Sequence, residues 1–161
     1  MRTISRGAII AIALFLSHPT AADAQLLKGL KRVTVVAQML PGNVAGSCAA
    51  TNAQMDTSAA FIISQSQLQI VREESAQGRV DIFVFLFYDK QRDLCWGYVN
   101  VKLSTRVYGT SQYGRVDGLF LDTYDAYQPL SREPATMPKY VTDTVESMIK
   151  DFVVKWKMDN P

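Results

Sequence analysis

Histidine is nearly missing from this sequence: among 161 residues there is one, His18. Cysteine is scarce as well, with only Cys48 and Cys95, and the formal net charge is just +2. The longest apolar run, residues 7–16, is too short to span a bilayer comfortably. Without an available histidine there is no Ser-His-Asp triad, no Cys-His nucleophile, no histidine general base and no histidine-containing zinc or copper site. Two cysteines fall short of the four sulfurs of a cysteine-only zinc site. No cofactor or metal is expected. The small charge excess gives no field to hold a phosphate backbone, and no basic run is longer than Lys31-Arg32, so nucleic acid is not an expected partner.

Whether His18 counts at all depends on what surrounds it. Arg2 and Arg6 give a basic start, residues 7–16 form the apolar run, and Pro19 and Ala22-Asp23-Ala24 follow. This is the order of an export signal cut behind Ala24. The expected division is a signal peptide over 1–24 and one exported domain over 25–161, beginning at Gln25 in the periplasm or outside the cell. His18 then leaves with the leader, and no integral membrane segment is expected afterwards. Removing 24 residues from 161 leaves 137, ordinary for a single domain with its own core. Losing Arg2, Arg6 and Asp23 brings the charge to about +1.

An exported chain meets an oxidising compartment, and two cysteines are what one bridge needs. A Cys48–Cys95 disulfide is expected. Closing a loop of nearly fifty residues is worth about 4 kcal/mol in the chain-entropy account. A redox-active pair lacks support, having neither C-x-x-C spacing nor a histidine to lower a thiol pKa.

The chain reads as alternating segments. Residues 31–40, KRVTVVAQML, are rich in β-branched side chains and end at Pro41-Gly42, the mark of a strand. Residues 51–65 have Met55, Ala59, Ile62 and Ile63 at helical spacing, and Thr51 with Gln54 has the form of a capping box. A second strand is expected over 68–73. Residues 79–107 contain two long strand-like runs around a charged turn at 90–93. Pairing them about Gln91-Arg92 sets Tyr88, Leu86, Val84, Ile82 and Val80 opposite Cys95, Gly97, Val99, Val101 and Leu103, which makes one face wholly apolar. The other face becomes an aromatic ladder, with Phe87 opposite Trp96, Phe85 opposite Tyr98 and Phe83 opposite Asn100, closed by an expected Asp81–Lys102 ion pair. Directly opposed pairs of this kind reinforce each other, and a one-residue slip would mix the faces.

Residues 108–114 have the glycine, serine and tyrosine content of a loop, and 118–127 alternate as a further strand. Pro129, Pro134 and Pro138 suggest an irregular crossing. A closing helix of about twenty residues is expected from near Pro138, with Val141, Val145, Met148, Ile149, Phe152, Val153 and Trp156 on one stripe and Asp143, Glu146, Lys150 and Lys157 on the other side. The fold class is therefore α+β: an antiparallel sheet of about five strands packed by two helices, in the order β-α-β-β-β-β-α. This layout, with LCWGYVNVKL in the hairpin and DFVVKWKMDNP at the end, resembles small exported bacterial proteins of unknown function. The resemblance implies a fold and supplies no site residues.

Two functional readings stay open. One is a non-catalytic binding or interaction module of the cell envelope, using the aromatic face Phe83, Phe85, Phe87, Trp96 and Tyr98 for a protein partner or a second copy of the chain. The other is a small hydrolase working with carboxylates, for example on glycans, for which Asp122 and Asp125 are the nearest candidates. Ser147 with Lys150 reads as a solvated helix pair, and GTSQYG at 109–114 lacks the lysine of a phosphate loop. The aromatic face is either open to a partner or covered, by residues 25–30 or by one of the helices, the last helix through Phe152 and Trp156 being the main rival. The tendency of helices to gather on one side of an α+β sheet favours the partner.

Overall fold

The computed structural model describes residues 27–40, 48–111 and 114–161, with the side chains of 107–120 outside that description. The leader, its cleavage point and His18 lie outside the described residues. The elements are β1 (Arg32–Met39), α1 (Asn52–Ser64), β2 (Gln69–Ile70), a 3-10 turn (Glu73–Ser75), β3 (Gly78–Asp89), β4 (Leu94–Ser111), β5 (Gly114–Arg132) and α2 (Met137–Asp159).

Helix α1 starts where the capping box places it. Thr51 Oγ1 accepts from the Gln54 N–H at 3.2 Å, and Gln54 Oε1 accepts from the Thr51 N–H at 3.1 Å. A cap of this kind contributes about 1 kcal/mol. Helix α2 has Pro138 in its first turn and buries all seven residues of the expected stripe, together with Met137 and Thr144.

The five strands form one sheet in the order β2-β1-β3-β4-β5. The strands from β3 to β5 are antiparallel, as expected, whereas β1 runs parallel to both β2 and β3. The sheet is therefore mixed. The cause is α1: a helix between two strands carries the chain back to the starting end of the sheet, so the next strand enters in the same direction. Strand β2 is shorter than the segment 68–73: its bonds to β1 end with the Val71 N–H, which donates to the Val33 carbonyl at 2.9 Å, before Arg72, Glu73 and Glu74 turn out to solvent. Farther along β1, α1 takes over that edge. Asp56 Oδ1 accepts from the Ala37 N–H at 2.7 Å, and Asn52 Oδ1 accepts from the Met39 N–H at 3.0 Å.

The β3–β4 register is the expected one throughout, from Asp89↔Leu94 to Gly78↔Thr105. Its turn is held by Asp89, whose Oδ1 accepts from the Gln91 and Arg92 N–H groups at 2.9 and 3.3 Å. Asp93 closes the turn at φ 47°, a conformation that Asp tolerates better than most residues. The segment expected as a loop is strand over its described residues: β4 continues to Ser111 and β5 begins at Gly114, so the two extend as a ribbon past the start of β3. Pro129 belongs to β5 opposite Tyr98, in the edge position where a strand accepts proline.

One core lies between the sheet and the two helices. Val80, Ile82, Val84, Leu86, Cys95, Val99, Val101 and Leu103 meet Met55, Ala59, Ile63, Val145, Ile149 and Phe152 there. Cys48 and Cys95 are joined, with α-carbons 6.0 Å apart, so the entrance to α1 is tied to β4. The C-terminal Asn-Pro also has a structural use. Asn160 Nδ2 donates to the carbonyls of Leu27 and Trp156 at 2.8 and 3.0 Å, while Asn160 Oδ1 accepts from the Gly29 N–H at 2.6 Å. Trp156 Nε1 donates to the Leu30 carbonyl at 2.8 Å, so the end of α2 clamps the turn before β1.

Candidate interaction face

Because side chains alternate along a strand, the residues between the core positions of β3, β4 and β5 point away from both helices. On that side the sheet divides into two halves. The half near the 90–93 turn is aromatic. The half near the start of β3 is charged.

In the aromatic half the rings form a continuous chain of contacts. Phe87 stacks on Trp96 with centroids 4.9 Å apart, and Phe85 packs edge-on against Phe87 at 4.6 Å. Phe85 also meets Tyr98 at 5.4 Å, and Tyr98 meets Tyr127 of β5 at 5.0 Å. Phe85, Phe87 and Tyr98 are half-buried by their neighbours, whereas Trp96 is 48% and Tyr127 60% exposed. Phe83 is half-buried on the same side, opposite Asn100, outside this chain of ring contacts. Phe152 and Trp156 do not cover the rings. Phe152 is in the core against Tyr124, with ring centroids 5.5 Å apart, and Trp156 is on the clamp described above. Tyr127 was not among the expected face residues. The irregularity between Leu103 and Ser104 shifts the β4–β5 register, so its side follows only from the observed pairing with Asn100.

The charged half departs from expectation in its pairing. Asp81 and Lys102 are opposite each other, but Arg79 Nε takes Asp81 at 2.8 Å and Lys102 takes Asp122 at 2.6 Å. Arg79 lies two residues from Asp81 on the same side of one strand, and the shifted register brings Asp122 beside Ser104 and within reach of Lys102. Ser104 also donates to Asp122, at 2.9 Å. Hydrogen bonds from Lys102 and then Ser104 hold the Asp122 carboxyl below the usual carboxylate range, and the bond to Asp122 raises Lys102. Asp125 accepts from Asn100. Both carboxylates are exposed and engaged on an open sheet. A general acid needs its pKa raised, so the Asp122 environment acts in the wrong direction for glycoside cleavage. Lys150 lies 3.7 Å from Glu146, its ion-pair partner, rather than being paired with Ser147.

A cleft of about 870 Å³ is at the opposite end of the sheet from the rings, between Lys28, Lys31, Arg32, Gln69, Gln77 and the C-terminal Asp159 and Asn160. Asp159 is the single acid among its described lining residues, so no carboxylate pair converges there. Among the described residues no cluster of three metal-ligating side chains occurs, and no helix is long and apolar enough to cross a membrane.

Fold and face together define a two-layer α+β domain, with both helices on one side of a five-stranded mixed sheet and an aromatic surface on the other. Among solved structures, a Xanthomonas campestris protein of the DUF330 family shares this fold, with a TM-score of 0.50 at 9% identity over 81% of this chain and 88% of that one. The dodecameric PelC of Paraburkholderia phytofirmans aligns with a TM-score of 0.41 at 13% identity, over 80% of this chain and 89% of its own. No family model matches the sequence, and no curated protein matches it.

Proposed function

We propose that this chain is a non-catalytic interaction module of the bacterial cell envelope, exported by its leader, and that the aromatic half of its open sheet face docks a protein partner. The observation that carries this reading is the ring chain from Phe87 through Trp96, Phe85 and Tyr98 to Tyr127, on the side of the sheet away from both helices. Monomeric proteins seldom leave a contiguous apolar patch of this kind without a use, and Trp and Tyr dominate the anchors of protein interfaces. The Cys48–Cys95 bridge supports an oxidising compartment. The resemblance to small exported bacterial proteins adds the envelope setting.

Replacing both Trp96→Ser and Tyr98→Ser tests this. Trp96 is 48% exposed, so the double variant is expected to keep its fold and disulfide while its association in the envelope weakens at least about tenfold, the loss of one anchor-sized contribution. A variant that unfolds would make the rings core. A folded variant with unchanged association would remove the face from the account.

A further inference from the structure

The two edges of the sheet are treated differently. On the β1 side β2 covers the first residues, and Asp56 and Asn52 of α1 accept the remaining outward N–H groups of Ala37 and Met39. On the other side β5 is the last strand, and no further strand pairs with its outer backbone among the described residues. Unpaired edges invite a further strand, and proteins blunt them with lysine, proline, bulges or coverage. Residues 121–130, LDTYDAYQPL, contain no Lys or Arg. The register shift opposite Leu103/Ser104 and Pro129 bracket the stretch 124–128, whose one charge is Asp125.

Pro129 sits in the β4–β5 ladder opposite Tyr98 with no N–H to give, so its nitrogen is on the outer side. The alternation of an antiparallel ladder then turns the N–H groups of Tyr127 and Asp125 outward as well. The ring stack Phe85–Tyr98–Tyr127 crosses three strands and stops at this same edge, where Tyr127 is 60% exposed. An antiparallel pairing of β5 with β5 of a second copy is self-complementary about a two-fold axis. It satisfies the outward N–H groups and places one tyrosine-ended stack against another. The neighbouring charges do not oppose it, because Asp122 is paired with Lys102 and Asp125 faces Tyr127 of the second copy, not its own counterpart.

We propose that residues 124–128 of β5 pair edge to edge with the same strand of a second copy, making a continuous ten-stranded sheet with the aromatic halves adjoining. This names the partner within the reading above and rests on that reading for the part played by the rings. A five-residue pairing is well short of the roughly 800 Å² per partner of a standard stable interface, so the dimer is a weak one that dissociates on dilution.

The test is sedimentation velocity of the exported chain over a wide concentration range, beside Tyr127→Asp and Tyr127→Phe. The wild type and Tyr127→Phe should pass from monomer to dimer as concentration rises. In a symmetric pairing of 124–128, position 127 faces Asp125 of the second copy, so Tyr127→Asp sets carboxylates against each other and should raise the dissociation constant at least about tenfold with the monomer still folded. One added cysteine locates the axis: Ala126→Cys, at the centre of the pairing, should give a disulfide-linked dimer on oxidation, and Trp96→Cys should not. A chain that stays monomeric at every concentration overturns the proposal, as does a dimer indifferent to Tyr127→Asp or one cross-linked through position 96. A monomer that still loses a different envelope protein on Trp96→Ser and Tyr98→Ser refutes the edge pairing and leaves the docking face. A dimer sensitive to Tyr127→Asp but not to those two changes refutes the docking face and leaves the edge pairing.

Discussion

Gly97 shows how tightly single positions constrain the hairpin. It pairs with Leu86 between Trp96 and Tyr98, and a Cβ built there would lie 1.9 Å from the Phe85 carbonyl oxygen and 2.9 Å from the Leu86 α-carbon. Both obstacles are backbone, so no side-chain rotation relieves them. Gly97→Ala is expected to destabilise the fold by about 1–3 kcal/mol, the usual cost of overpacking, read as a lower denaturation midpoint. An unchanged midpoint would mean that the strands do not approach so closely. That requirement was not legible in the sequence, where Gly97 is simply a small residue on the apolar face. The aromatic residues were more legible, because period-two alternation in 79–107 assigns each ring to a side without further information. Charge partners were harder to read: Asp81 and Lys102 are opposite as the register demands, yet each has a nearer partner in Arg79 or Asp122.

Among the elements, those with strong local signals matched their reading: α1 with its Thr51 and Gln54 box, the β3–β4 register, and α2 with its seven-residue stripe. The direction of β1 did not, although a helix between the first two strands is the ordinary sign of a parallel crossover. Nor did the extent of β4 and β5, since the glycine, serine and tyrosine content of 108–114 reads as a loop while β4 continues to Ser111 and β5 begins at Gly114. The disulfide joins the segment just before α1 to β4 across a sequence separation of 47 residues. It fixes the start of α1 on the apolar side of β4. Replacing both Cys48→Ala and Cys95→Ala is expected to cost about 2–5 kcal/mol, seen as a lower melting temperature than the wild type under non-reducing conditions. Equal melting temperatures would show that helix–sheet packing alone holds that entrance.

At the scale of the whole molecule the arrangement is one-sided. Both helices, the bridge and the Asn160 clamp serve the core on one side of the sheet, and the aromatic face stands on the other with an open edge beside it. The sequence could define that face but not its surroundings, because whether α2 covers it depends on how the chain crosses between 132 and 137 rather than on any local pattern. The two sides of the molecule also provide their own control, since Phe61 on α1 is 64% exposed as a single apolar side chain while Trp96 belongs to a cluster. The most direct measurement is site-specific photo-crosslinking in the intact cell envelope, with a photoreactive phenylalanine analogue placed at position 96 or at position 61. A docking face on the open sheet predicts a discrete protein adduct from position 96 and none from position 61; no adduct from 96, or the same adducts from both, would contradict it.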